Sequence, residues 1–397
     1  MEYLSDNAYL AVKPEAVAGT PVTPTNFVPL LSESVRSIMN YTADRRFKGL
    51  SWKANDILRG NRTHEGELSI LADADNLGHI LNMFMKLGVT TGDATDGYTH
   101  PFTVGDCDTY SLEIKRGIYA QRLFGVKVDS LSLDFADGTL QVRADIQARG
   151  QFSVAKLGVA LTGAGMTNIV LDDTYDLAPT KGLVAGDVIV IGTDELTLLT
   201  VDADGVTVTF TSTSLTYSAD EPIYLKPQTA SLSGLQDPLY QGNTLVGLGV
   251  DETASTTAAG SKATATPVHE FSLDLKNNLF TTPRTGSVDP VNLLPRTKEG
   301  QVKLKQLLEN ENDTADFLDR TKQAMTIMIS GQHINPDFST KELVTIKLYN
   351  IKMTEHDNAL TVGEYIVDDK TYEVLYDDSD AKAMTIDLVN RTAGASY

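Results

Sequence analysis

A mainly β chain is predicted, with two related β-rich halves, one flanking helix in each, and a small all-β domain inserted between them. Three observations carry this reading. Alternation of apolar and polar residues recurs along the length, helical spacing shows in only two segments, and two blocks near the start resemble two blocks of the second half in the same order. The 397 residues are 41% hydrophobic and 22% charged, a globular composition with room for two or three domains.

Charge narrows the function classes. Fifty-three acids face 33 bases, a formal net charge of −20. Proteins that grip nucleic acid by its phosphates present basic surfaces, so that class is disfavoured. A surface that nucleic acid slides past without sticking is not. No apolar run approaches the ~18 residues of a membrane helix. The N-terminus lacks the basic and apolar regions of a secretory signal. The single cysteine, Cys107, excludes an internal disulfide and a Cys-rich zinc site, so folding in a cytoplasm is expected.

The elements follow in chain order. Residues 73–87 place Leu77, Ile80, Leu81, Phe84 and Leu87 at helical spacing, with Asp75 expected to cap the start and Gly88 the end. From Lys127, Val128, Leu131, Leu133 and Phe135 alternate with polar residues, with one slip. Asp137-Gly138 then supplies a hairpin turn, and Leu140, Val142, Ala144 and Ile146 continue with period two, a half-buried antiparallel pair. Residues 155–228 hold ten acids against three bases and no arginine. Strands are expected there at 186–192, 196–201 and 206–210, with a turn at Asp202-Ala-Asp-Gly205. This segment reads as a small β domain in a surface loop, where insertion costs little. The run 253–266, rich in Thr, Ala and Ser, reads as a mobile loop or linker. A second, weaker helix is expected over 312–324, capped by Asn312 or Asp313.

The internal similarity organises the chain. Thr63-His-Glu-Gly-Glu-Leu-Ser-Ile70 resembles Thr297-Lys-Glu-Gly-Gln-Val-Lys-Leu304, and each precedes a predicted helix. Lys127 to Leu140 aligns without a gap on Lys347 to Leu360, which sets Asp137-Gly138 on Asp357-Asn358. Duplication is the expectation, giving a first half at 1–154, an insert at 155–228 and a second half at 229–397.

Catalytic chemistry finds no motif. His64, His79, His100, His269, His333 and His356 show no metal-ligand spacing. His79 reads as a packed helix residue, and the neighbours His64 and Glu65 point to opposite faces of a strand. Asp73-Ala-Asp75 and Asp202-Ala-Asp204-Gly205 lack the twelfth-position glutamate of a calcium loop, so a helix cap and a turn are the better readings. There is no phosphate loop, nucleophile elbow or dinucleotide fingerprint. No cofactor, metal or catalytic residue is expected. Two rivals remain: a β-rich adhesin or glycan-binding module, and a hydrolase whose carboxylate pair needs no local motif.

Short motifs in the right order carry a resemblance. Tyr9-Leu-Ala-Val-Lys-Pro-Glu15, Gly19-Thr-Pro21 and Pro29-Leu-Leu-Ser-Glu-Ser34 resemble the start of tail tube proteins of long-tailed bacteriophages. So do Gly66 in a strand before a helix that ends in Leu87-Gly88, Tyr98-Thr-His-Pro-Phe102, Pro238-Leu-Tyr-Gln-Gly242 and Glu270 to Leu279. The resemblance covers about 1–150 and 229–397. The insert departs from it and is similar to the extra β domains that many tail proteins display outside the tube.

The resemblance implies a structural virion protein, not an enzyme. Its fold would be a β-sandwich protomer with a flanking helix. Six copies, or their pseudo-hexameric equivalents, would form a ring whose strands join into one inner barrel. Rings would stack on a tape measure protein between terminator and baseplate proteins, in a siphovirus-type tail assembled in the host cytoplasm. Double-stranded DNA would cross the lumen without specific binding, and no membrane is involved. A ring of six carries 120 formal negative charges, and acids on a narrow bore would repel DNA within a Debye length of ~8 Å. The insert holds seven of each chain's twenty, so thirteen remain for the halves. Candidate lumen-facing residues are the polar positions of alternating strands: Ser132, Asp134, Arg143 and Asp145, with Asp274 in the second half.

Overall fold

The computed structural model describes residues 8–44, 56–136, 138–173, 178–231, 236–282, 289–307, 312–334, 340–359, 367–394 and 397. The first half contains β1 (Leu10–Pro14), β2 (Asn26–Val28), β3 (Ser32–Glu33), β4 (Arg36–Asp44), β5 (Asp56–Leu71), α1 (Ala74–Phe84), β6 (Lys86–Leu87), β7 (Thr91–Asp93), β8 (Gly97–Thr103), β9 (Tyr110–Arg116), β10 (Tyr119–Ala136), β11 (Thr139–Ala148) and β12 (Gly150–Phe152). Then come β13 (Val154–Lys156), β14 (Leu161–Val170), β15 (Val188–Ile191), β16 (Asp194–Val201), β17 (Thr207–Tyr217) and β18 (Pro222–Leu225). The rest is β19 (Thr244–Gly249), α2 (Glu252–Ala259), β20 (Val268–Lys276), β21 (Phe280–Thr282), β22 (Asn292–Leu294), β23 (Glu299–Leu307), α3 (Asn312–Asp319), β24 (Gln323–His333), β25 (Lys341–Ala359), β26 (Val367–Val374) and β27 (Met384–Asn390). The protein is mainly β, as its sequence predicts.

One long antiparallel run of strands positions everything else. β4 pairs with β5, then follow β11, β10, β20, β23, β26 and β25. The same order appears twice within it. In the first half the path is β4–β5–β11–β10–β9, with α1 following β5. In the second it is β20–β23–β26–β25–β24, with α3 following β23. An irregularity follows Val128 in β10 and Leu348 in β25, residues the sequence alignment also equates.

The apolar sides of these strands make one core. Leu68, Ile70, Leu131, Leu133, Val142, Ile146, Leu273, Val302, Ile346 and Ile351 are buried in it together with Leu77, Ile80, Leu81 and Phe84 of α1. Full burial of each such side chain contributes roughly 1.5–3 kcal/mol. A second, separate core joins Ala120 and Phe152 to Leu157, Ile189, Ile191, Leu198, Phe210 and Ile223. The strands expected at 186–192, 196–201 and 206–210 are present as β15, β16 and β17, and Gly205 N–H donates to Asp202 O in the turn that joins the last two.

Several expectations need correction. The cap of α1 is Asp73, whose carboxylate accepts from the backbone of Asp75 and Asn76; Asp75 lies in the first turn. The helix stops at Phe84, because residues 86–87 pair with β8 and that strand captures the chain. Gly88 donates to Pro101 O instead of capping. The second helix ends at Asp319, since β24 begins at Gln323 and pairs with β25. The capping side chains expected for it fall outside the described residues. Asp357 and Asn358 form no turn, because they continue β25 opposite Asp369 and Asp368. In the first half Ala136 opposite Thr139 closes the expected two-residue turn, with Gly138 at φ 78; Asp137 lies outside the described residues.

The largest correction concerns 253–266, expected to be a loop. Asp251 caps α2, which buries Ser255 and Ala259 completely. The helix lies against β19 so closely that a Cβ on Gly247 or Gly249 would collide with its backbone. Small residues on both surfaces permit that approach, and Ser255 Oγ reaches Thr326 Oγ1 at 2.9 Å.

Candidate functional site

The polar side of the long strand run is the candidate surface. On β10 and β11 the apolar residues point into the core, which leaves 130, 132 and 134 on one strand and 141, 143, 145 and 147 on the other facing away. Ser132 stands opposite Arg143 on one side and Asp274 on the other. Asp134 stands opposite Gln141 and Ser272. Asp145 stands opposite Ser130 and Glu67. All five sequence-nominated residues therefore share one face.

Their contacts are short and lateral. Ser132 Oγ donates to Asp274 Oδ1 at 2.6 Å, across the junction between the two halves. Ser130 Oγ donates to Asp145 Oδ2 at 2.5 Å. Arg143 Nη2 donates to Asp134 Oδ2 at 3.3 Å, with the two side chains 49% and 25% exposed. Exposed pairs of this kind hold local geometry and contribute little stability.

The face extends beyond the nominated residues. Glu65 and Glu67 continue it on β5. In the second half Gln301, Lys303 and Lys305 of β23 are exposed and stand opposite Glu373, Thr371 and Asp369 of β26. Lys305 pairs with Glu270 at 2.9 Å. The face is acidic over β5, β11 and β10 but mixed over β23 and β26. The period-two pattern of 299–305 carried that signal.

A second polar cluster is buried at the root of the insert. The side chain of Arg122 is 1% exposed, and Nη2 pairs with Glu113 at 2.7 Å while Nη1 pairs with Asp187. Burial works against the guanidinium charge, but the two carboxylates outweigh it and raise its pKa. Tyr9 donates to Glu113 at 2.6 Å and accepts from the Gln228 backbone at 2.6 Å. Thr23 Oγ1 and Val184 N–H donate to Asp187. Val184, Asp187 and Gln228 of segment 155–228, with Tyr9 and Thr23 of the N-terminal segment, are thus locked to β9 and β10. Sequence spacing gives no sign of it, since the partners lie far apart in the chain.

His79 and His64 are buried in the fold. His79 is buried, and burial lowers its pKa to about 4. His64 is buried between Ser37 Oγ at 2.6 Å and Asp289 at 3.1 Å. Among the described residues no three His, Cys, Asp or Glu side chains are placed to hold a metal, and no helix is long and apolar enough to cross a membrane.

Comparison with known families decides the class. A family model described as phage tail tube protein matches residues 5–374. The chain belongs to the phage tail tube protein family. A comparison with curated proteins found no match. Membership in a tail tube family makes the protein a structural component of the virion tail, and it implies self-assembly into a tube; the family is not an enzyme family. The motif residues of the N-terminal region have structural work to do. Buried Glu15 accepts from Gly19 N–H at 2.7 Å, Thr109 Oγ1 at 2.8 Å, Ser111 Oγ at 2.8 Å and Gly125 N–H at 2.7 Å.

Proposed function

We propose that the protein is the major tail tube subunit of a siphovirus-type phage. It forms rings that stack around a tape measure protein, between terminator and baseplate proteins, and conduct DNA into the host. The observation that carries this reading is the eight-strand run with one apolar and one charged face, in a chain of the tail tube family. Such a run leaves unpaired edges, and closure into a barrel removes edges. The polar face, with Ser132, Asp134, Arg143, Asp145 and Asp274, would line the bore. The chain reads as a duplicated pair, 1–154 and 229–397, with the insert 155–228 outside.

The repeated strand order bears on the number of copies. Six copies with eight strands each would close a barrel roughly 95 Å across its backbone, at ~4.8 Å per strand and a tilt of about 40°. Three copies would close one of roughly 50 Å, nearer to what a DNA duplex needs. Three chains then supply the six equivalent units that the family resemblance leads one to expect. Negative-stain microscopy with mass measurement of purified rings tests both points. Hollow rings with the mass of three chains support the reading, six chains would overturn the copy number, and persistent monomers under all conditions would overturn the function.

A further inference from the structure

The chain contains a template for the contact between its own copies. Inside the chain the two halves meet where β20 lies along β10, with Leu275 opposite Leu131, Ser132 opposite Asp274 and Ser130 opposite Lys276. β20 holds that place as the outer neighbour of β23. In the first half the same outer place, beside β5, is taken by residues 32–36. Ser32 stands opposite Ser69 and Arg36 opposite Glu65, just as Ser272 stands opposite Lys303 and Lys276 opposite Glu299. Among the described residues no strand covers the far side of 32–36. The counterpart of β10 is β25. Beyond Ile351, where β24 stops, the side of β25 away from β26 has no strand partner among the described residues.

We propose that the edge at 32–36 of one copy pairs antiparallel with the edge at 352–356 of the next, as β20 pairs with β10 within the chain. This rests on the ring-forming function proposed above. Two halves with the same strand order each bring one filled and one open place, and the open places are complementary. The sheet position of β25 against β26 and β23 sets Val35 near Met353, both on the apolar side. The pair would then extend the core of one copy into the next.

The free edge is closed by its own side chains. Ser34 N–H donates to Glu67 O in β5, so the N–H and C=O of Val35 point outward. Glu33 Oε2 accepts from Val35 N–H at 2.9 Å, and Arg116 Nη2 donates to Val35 O at 2.5 Å. Arg116 and Glu33 also pair with each other at 2.5 Å. These are the two backbone groups that Leu275, the counterpart of Val35, places at the β10 junction. The cap must open when the next copy docks, so it slows pairing between unassembled chains.

Disulfide trapping in assembled rings tests the edge assignment. Cysteines replace Ser34 and Thr354, with Ser34→Cys alone as the control; the native Cys107 is buried. Within one chain the two edges lie seven strand spacings apart, on the order of 30 Å along the sheet, too far for a disulfide. Oxidation is expected to give covalent multimers up to the full ring from the double variant and none from the control. Rings that form but do not cross-link overturn the edge assignment and leave the ring reading standing. Absence of rings from the unsubstituted protein overturns that reading, and this inference with it. Glu33→Ala tests the cap: ring formation should begin at about five-fold lower concentration, the equivalent of one hydrogen bond, and an unchanged onset would contradict it.

Discussion

The root of the insert and the polar face of the long sheet use the same residue types for opposite ends. At the root, Arg122 sits between Glu113 and Asp187 with all three side chains almost fully buried. On the face, Arg143 sits beside Asp134 in partial contact with water. Buried charges cannot lose a partner without stranding the other in a low dielectric, so the root holds the insert rigidly against β9 and β10. Exposed charges are screened and exchangeable, so substitutions on the face cost little stability. The segment 155–228 is therefore anchored to β9 and β10, not loosely tethered.

Breaking the root should have the largest effect. Arg122→Met is expected to lower unfolding free energy by about 3–5 kcal/mol in chemical denaturation, and a loss under about 1 kcal/mol would dissolve the contrast. Replacing 155–228 by a short Gly-Ser linker removes Asp187 and leaves Glu113 alone with Arg122. Assembly is expected to survive that deletion at reduced stability. Loss of assembly at a temperature where the deleted chain stays folded would show that the insert makes ring or stacking contacts.

Glu342 sharpens the comparison as a buried carboxyl whose ion-pair partner, Arg391, is partly exposed. Its side chain is fully buried, with Arg391 3.5 Å away. Burial, and then Asp75, raise its pKa to about 7. A raised folded-state pKa means the stabilising proton is held below about 4.5 and lost as pH rises to about 7. Glu342→Gln should therefore raise stability by about 1–3 kcal/mol at pH 8 and leave it unchanged at pH 4. Equal effects at both pH values would show that the group does not titrate in this window.

The fold was legible where neighbours in sequence are neighbours in space. Alternation fixed the faces of β10 and β11, and helical spacing located α1. Its last turn was misread because pairing of Lys86 with Thr103 is a tertiary event. The helix α2 was hidden because its stability comes from two glycines of β19 that let small residues approach, not from an apolar stripe. The five nominated residues share a face because period two is a local property. Lys303 and Lys305 follow the same rule and could have been read from it. The Arg122 cluster could not, since its partners come from β9 and the insert.

On the exposed face, stability effects should be small. Asp134→Ala and Arg143→Ala are each expected to cost under about 1 kcal/mol, as measured by thermal unfolding. The functional effect should be larger. Lysine at 134, 145 and 274 together is expected to leave rings intact but make assembled tubes retain DNA, with retention falling steeply as salt rises. Tubes of this variant that retain no more DNA than the parent would show that these positions do not meet DNA.

The most direct test is a reconstruction of the assembled tube by electron cryomicroscopy. The account predicts a continuous barrel in which β4, β5, β11, β10, β20, β23, β26 and β25 turn their polar faces to the bore, with Ser132, Asp134, Arg143, Asp145 and Asp274 on its wall and 155–228 outside. A bore lined by other elements, or a tube whose charged face meets the exterior, would contradict it.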